Sequence, residues 1–207
     1  MKKFKILIII FLITLGEVTS VRGDNWEYYL KHNFNIRLKN KRLINLKEEL
    51  RFRNGYNYYR KTFAGLLKDF NKNWQGGFYY ALRQIKTDSW KYKNMVWPEV
   101  TYKTKFKFTS ISNRTRIEYH ITDRFWRYRD KINTKFLINK NLIPWIGYEV
   151  RYYLKENRIG MSEIFVGMFF KMNNTFSVNI FYDYRKKIKQ DTWVNTNCLR
   201  TDLNFNF

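Results

Sequence analysis

From Trp26 to Phe207 the sequence alternates between apolar and polar residues along about eleven segments of roughly 10 to 14 residues each. The last segment shows the pattern clearly, with Leu203 and Phe205 on one face and Asp202 and Asn204 on the other. A period of two predicts β-strands with two different faces. Strands of soluble proteins average only about 5 to 6 residues, whereas a strand that crosses a bilayer needs about 9 to 11. The segment length therefore favours membrane-spanning strands.

The composition excludes several other classes of protein. Aromatic residues make up 20% of the chain, too many for a disordered protein, and a chain whose one cysteine is Cys198 cannot be a disulfide scaffold. No stretch reaches the roughly 18 to 20 uncharged apolar residues that a spanning helix needs. The formal net charge of +23 suggests a nucleic-acid partner, but the charges alternate with apolar residues and match no nucleic-acid-binding motif. We therefore predict no nucleic-acid partner.

The first twenty residues have the three parts of a secretory signal peptide. Lys2, Lys3 and Lys5 precede an apolar run from Ile6 to Leu15, and small residues up to Ser20 offer a cleavage site. The apolar run is too short to cross a bilayer as a helix. We therefore predict a signal peptide over 1–20 and an exported barrel domain over 21–207.

Alternation alone does not say which face lies inside the barrel. A soluble exported barrel that binds an apolar ligand would place Ile117, Tyr119 and Trp126 inside, whereas a membrane barrel places them outside. Export and the terminal aromatic Phe207, which looks like the signal read by the barrel assembly machinery, favour the membrane barrel. Trp and Tyr near segment ends are also typical of interfacial girdles. They are Trp26, Tyr56, Tyr58, Trp74, Trp90, Tyr92, Trp97, Trp126, Tyr184 and Trp193.

These features predict an all-β fold, a single antiparallel up-and-down transmembrane barrel in the bacterial outer membrane. A sheet edge cannot face lipid, so the sheet has to close. Both termini are expected on the periplasmic side, which requires an even number of strands. We therefore predict twelve strands, with ten as the alternative.

The polar face then lines the lumen with charged residues of both signs. Ten of them are predicted to form a lumen charge network: Glu49, Arg51, Glu99, Arg114, Arg116, Glu118, Arg127, Arg129, Glu149 and Arg151. Neighbouring strands allow Glu–Arg pairing across the sheet. Such a network fills the lumen of a structural envelope barrel, or it lines a narrow pathway for small anionic solutes, because rings of Arg and Lys favour anions.

Other chemistry has weaker support in the sequence. An outer-membrane lipid-modifying enzyme needs a nucleophile and a base within reach, and neither His120 on the lumen face nor His32 on the outer face has an assignable serine partner. Cys198 faces inward and is predicted to be inert. We predict no catalytic residue, metal site or cofactor.

Lys186, Lys187 and Lys189 are placed in an outer loop, where they are solvated or bind glycolipid phosphates.

Several short motifs also occur in a fixed order along the chain. They are Glu48-Glu49-Leu50-Arg51-Phe52, Trp97-Pro98-Glu99, Asn113 to Tyr119, Phe125 to Arg129, Pro144 to Glu149 and Asn157-Arg158-Ile159-Gly160. This set resembles a bacterial family of uncharacterised outer-membrane proteins, the domain-of-unknown-function family 2490. The resemblance covers roughly Trp26 to Phe207, departs at Tyr119-His120, and implies a barrel among outer-membrane lipids. It implies no established reaction.

Overall fold

The computed structural model of the protein describes residues 26–189 and 191–207 as one closed barrel of eleven β-strands. The strands are β1 (Trp26–Arg37), β2 (Arg42–Arg53), β3 (Tyr56–Asp69), β4 (Trp74–Lys86), β5 (Trp90–Lys105), β6 (Thr109–His120), β7 (Phe125–Phe136), β8 (Leu142–Tyr153), β9 (Arg158–Lys171), β10 (Phe176–Lys189) and β11 (Thr192–Asn206). The predicted signal peptide and its cleavage site lie outside the described residues.

Each strand pairs antiparallel with the next, and the barrel closes through a parallel pair. β1 and β11 run side by side from Trp26 opposite Asn197 to Asn35 opposite Asn206. The expectations of twelve or ten strands and of an even number are wrong for the part of the chain that the structure describes. A parallel ladder also pairs the backbone groups of both edges, so closure does not require an even count. Trp26 and Phe207 therefore lie at opposite ends of the barrel.

Short turns join the strands and set their register. β2 and β3 meet at Asn54-Gly55, where both residues have positive φ angles, 50° and 80°. Asn-Gly suits the two-residue turn that matches the twist of a hairpin. The predicted loop at Lys186 to Lys189 is wrong, because these residues continue β10 and Lys187 pairs with Val194 of β11. β10 and β11 stay paired as far as Lys189, so the strand continues through residues whose charge had suggested a loop.

The outer face of the barrel is apolar and the inner face is charged. Ile117, Trp126 and Val166 are exposed on the outside, whereas Glu118, Arg127 and Glu163 are buried inside. This orientation contradicts the soluble barrel with an apolar interior. The described residues contain no helix that is long and apolar enough to span a membrane.

Two residues assigned to the outer aromatic girdles face inward. Trp97 is only 1% exposed and stacks on Tyr79 inside the barrel, at 5.1 Å between ring centroids. Tyr58 lines the internal cavity. Trp97 is two residues from Glu99, so the period of two places both on the lumen face. Tyr58 lies where a bulge shifts the β2–β3 register, between Arg51 and Phe52.

Candidate functional site: the charged lumen

An internal cavity of about 1130 Å³ runs along the barrel axis. Its lining includes Arg53 and Lys189 near the Trp26 end and Arg37 and Asn206 near the Phe207 end. Nineteen of the lining residues are Lys or Arg, and five are Asp or Glu. The cavity is therefore strongly positive along its length.

Glu118 is a fully buried carboxylate of the lumen, with three arginines around it. Its side chain is 0% exposed. Arg127 Nε donates a hydrogen bond to Glu118 at 2.7 Å, and Arg129 Nη1 donates another at 3.0 Å. Arg116 Nε lies 2.9 Å from the carboxylate as an ion pair. One negative charge on β6 thus orders guanidinium groups of two strands, β6 and β7.

The same pattern continues around the barrel wall. Glu149 on β8 pairs with Arg129 and accepts a hydrogen bond from Arg151 Nε at 2.9 Å. Glu163 on β9 accepts from Arg151 and Arg185, both at 2.5 Å. These shared arginines join neighbouring carboxylates into one chain. Charge-assisted hydrogen bonds of this kind are among the strongest in proteins.

The chain of ion pairs crosses the barrel seam. Asp183 on β10 pairs with Arg200 of β11 and accepts a hydrogen bond from Arg185 Nη2 at 2.9 Å. Arg185 Nη1 also lies 3.4 Å from Glu27 on β1, which in turn pairs with Arg53 on β2. The network thus reaches the first and last strands and ties the parallel β1–β11 pair to its neighbours.

All ten residues of the predicted lumen charge network lie inside the barrel and make at least one ion pair. Glu49 and Arg51 pair with each other at 2.5 Å on β2. Glu99 is only loosely held, because Arg116 and Arg114 lie 3.5 and 3.8 Å from its carboxylate. Sequence reasoning left six further members out of this network: Glu27, Arg53, Glu163, Asp183, Arg185 and Arg200. Asp183 and Arg185 lie on the polar face of the alternating segment that forms β10. This position could have identified both residues from the sequence.

The lumen lysines have a different kind of partner. The Lys47 ammonium lies 4.9 Å from the Tyr79 ring centroid, Lys131 lies 3.8 Å from Phe165, and Lys61 lies 4.3 Å from Phe63. A cation over an aromatic face is attracted by the electrons of the ring. Lys31 differs, since it pairs with Asp202 at 2.6 Å. Arginines of the lumen are therefore largely matched by carboxylates, whereas most of these lysines are not.

Two aromatic clusters support these lysines from the barrel wall. One lies on β3, β4 and β5 and consists of Phe63, Leu67, Tyr79, Ala81, Met95 and Trp97. The other joins Trp145, Phe165 and Phe181 on β8, β9 and β10. Gly65 faces Tyr79, whose ring occupies the space that a Cβ at position 65 would need. The missing side chain lets the first cluster pack against the wall.

We expect Gly65→Val to lower the free energy of unfolding by about 1 to 3 kcal/mol, because the valine overlaps the Tyr79 ring in a packed interior. Urea unfolding of the refolded barrel, followed by tryptophan fluorescence, measures the change. Ala64→Val is the matched control, since Ala64 lies on the exposed outer face of the same strand. Equal effects of the two substitutions would contradict the packing described for Gly65.

The wall formed by β1, β2 and β11 carries a cluster of asparagines near the Phe207 end. Asn33 donates to Asn204 at 2.9 Å and Asn35 donates to Asn206 at 3.0 Å across the β1–β11 pair. Asn45 donates to Asn35 at 2.5 Å. This part of the wall carries neutral hydrogen-bonding groups, whereas the arginine–carboxylate network lies in the middle of the barrel and toward the Trp26 end.

The two histidines contact carboxylates and an aromatic ring. His120 stacks on Phe125, at 4.0 Å between ring centroids, and its Nε2 lies 3.7 Å from Glu118. His32 is on the outer face, with Nδ1 3.3 Å from Glu48. Among the described residues, neither histidine has a hydrogen bond to a serine, and no three His, Cys, Asp or Glu side chains are grouped to hold a metal ion. Cys198 is buried and free.

A model of the family described as "Protein of unknown function (DUF2490)" matches residues 26–197. The chain belongs to this family. A search of the curated proteins finds no match. Among solved structures, this DUF2490 barrel is similar to the NanC porin in a rhombohedral crystal form, with a TM-score of 0.57 and 10% sequence identity. The match covers 84% of this chain and 91% of the porin chain. At that identity the likeness shows a porin-like barrel fold.

Proposed function

We propose that this protein is a bacterial outer-membrane barrel that acts as a narrow pore with a preference for anions. The observation that carries the proposal is the internal cavity, which is lined by nineteen basic and five acidic residues. Basic side chains in a pore attract anions and repel cations. The porin-like fold supports a pore as well, since the structural neighbour is itself a porin.

The outer face of the barrel and the two ends of the chain support the proposed location in the outer membrane. Exposed apolar side chains around the barrel fit contact with outer-membrane lipids, and closure leaves no strand edge to face them. The signal peptide predicted over 1–20 would direct export. Phe207, the exposed terminal aromatic residue, is proposed as the signal for the barrel assembly machinery.

A structural envelope barrel is the second candidate. It is favoured by the arginine–carboxylate network, which fills part of the lumen with mutually bonded side chains. A lipid-modifying enzyme has less support, because neither histidine of the described residues contacts a serine. The two leading candidates differ in one property, which is whether ions cross the lumen.

Single-channel recording separates these candidates. Signal-free protein (21–207) is refolded in detergent, checked for folding by its heat-dependent gel mobility, and added to planar lipid bilayers. The pore proposal expects discrete and stable conductance steps. Folded, inserted protein that passes no current would contradict it and leave the envelope barrel as the better account.

A further inference from the structure

Four basic side chains reach the lumen from the middle of their strands. Lys31, Lys47, Arg114 and Lys131 are each the sixth or seventh residue of a strand twelve residues long. β2 and β7, which carry Lys47 and Lys131, lie on opposite walls, with four strands between them on one side and five on the other. The four residues therefore lie near mid-height of the barrel and on both of its walls.

Two of these charges act on both of the others. Lys47 and Lys131 each experience the positive charges of Lys31 and Arg114. All four side chains also line the cavity, so a solute inside the barrel has access to them. Clustered like charges raise the free energy of the empty lumen, and a bound anion relieves that repulsion.

Carboxylates near these side chains are already engaged by other groups. Of the described residues, none has a carboxylate within 4 Å of the Lys47 or Lys131 ammonium. Glu99 and Glu149 attract these lysines from farther away, but Arg116 holds the first, and Arg129 and Arg151 hold the second. Arg114 lies 3.8 Å from each of these two glutamates, beyond hydrogen-bond distance.

Aromatic rings, rather than carboxylates, hold the two lysines in place. Lys47 is also 3.4 Å from the Tyr79 hydroxyl, and Lys131 lies over both Phe165 and Trp145. A lysine fixed by rings still has ammonium hydrogens to donate. The arrangement resembles a built anion site, because its donors line the cavity and the two lysines have no carboxylate of the described residues within 4 Å.

We propose that Lys47, Arg114 and Lys131 form a binding site for a multivalent oxyanion of the phosphate type at mid-height of the lumen. The inference deepens the proposed pore and rests on it, because a solute has to enter the lumen. Phosphate carries between one and two negative charges near pH 7 and presents several acceptor oxygens, so it can bridge two ammonium groups and a guanidinium. Chloride is monovalent and offers a single acceptor atom.

Isothermal titration calorimetry on the detergent-refolded barrel tests the site without any ionic current. We expect inorganic phosphate to bind, and Lys47→Gln with Lys131→Gln to weaken that binding by about tenfold or more, since hydrogen bonds to charged groups are lost. Lys39→Gln with Lys155→Gln removes the same net charge from exposed turns and should leave affinity unchanged. Lys47→Arg with Lys131→Arg, which keeps the charge, should retain binding.

Two ligand probes identify the source of the oxyanion. Glycerol 3-phosphate and glycerol are titrated in parallel with inorganic phosphate. Binding of inorganic phosphate and glycerol 3-phosphate, but not glycerol, supports a site for phosphorylated solutes, and binding of inorganic phosphate alone supports a site for the free anion. Wild-type protein that binds neither phosphate compound, or equal losses in the turn control, would overturn the site.

The site and the pore fail in distinguishable ways. A barrel that passes no current but binds phosphate through Lys47 and Lys131 contradicts the pore and keeps the site. A barrel that conducts anions but ignores phosphate keeps the pore and removes the site. Each measurement therefore decides one of the two proposals by itself.

Discussion

Glu118→Gln is expected to lower the free energy of unfolding by about 3 to 5 kcal/mol, the range for removing one partner of a buried ion pair. The substitution keeps the shape of the side chain and removes its charge. Arg116, Arg127 and Arg129 are then left close together without the carboxylate that they share. Urea unfolding of the barrel in lipid vesicles measures the loss.

Glu156→Gln is the matched control for this prediction. Glu156 bonds to Arg158 at 2.8 Å, but the pair lies in solvent at a turn, where an ion pair contributes only about 0 to 1 kcal/mol. A difference of several kcal/mol between the two variants supports an organised, buried network. Similar small effects in both would mean that water reaches Glu118 freely and that the network adds little stability.

Ile164→Arg is expected to destabilise the barrel in vesicles by about 2 to 4 kcal/mol, the cost of arginine on the lipid face at the bilayer midplane. Ile164 is at the middle of β9, between Tyr148 and Tyr184 of the neighbouring strands, and is 47% exposed. Its side chain points away from the lumen, so the substitution leaves the charge network intact. Urea unfolding in vesicles again provides the measurement.

The same change at Ile138 separates lipid contact from a general effect of adding charge. Ile138 lies in the turn between β7 and β8 and is 80% exposed, so Ile138→Arg should change stability by less than about 0.5 kcal/mol. In a barrel whose outer face meets water, Ile164→Arg would be as harmless as Ile138→Arg. That outcome would contradict the membrane orientation.

The strand pattern and the orientation of most residues were accessible from the sequence. The period of two assigns each side chain to a face, and it placed Glu99, Arg114 and Glu118 on the inner face that the structure shows. Trp97 was misplaced because tryptophan is typical of a membrane interface, whereas its spacing of two residues from Glu99 indicated the lumen. In this chain, position along the strand was a better guide than residue type.

The strand number and the choice of ionic partners were not accessible in the same way. The sequence contains eleven alternating segments, but an assumption about the chain ends favoured an even count, and the parallel β1–β11 pair makes that assumption unnecessary. Glu163 lies in β9, one of the least regular segments. The pairing of Glu163 with Arg185 and Arg200 depends on three-dimensional closure, which local periodicity does not encode.

The structure also divides the basic residues of the lumen into two groups. Arginines such as Arg129 and Arg151 are shared between carboxylates, which suits a role in holding the wall together. Lysines such as Lys47 and Lys131 rest on aromatic rings, with no carboxylate of the described residues within 4 Å of their ammonium groups. Selectivity should therefore depend more on the lysines than on the arginines, although the sequence alone drew attention to the arginines.

The reversal potential of the inserted barrel in a KCl gradient tests the central claim most directly. A lumen with nineteen basic and five acidic lining residues predicts a reversal potential displaced toward the equilibrium potential of chloride. The displacement should shrink at high salt, because mobile ions screen the lumen charges. A reversal potential displaced toward the equilibrium potential of potassium would contradict the claim that the cationic lumen selects the ions that pass.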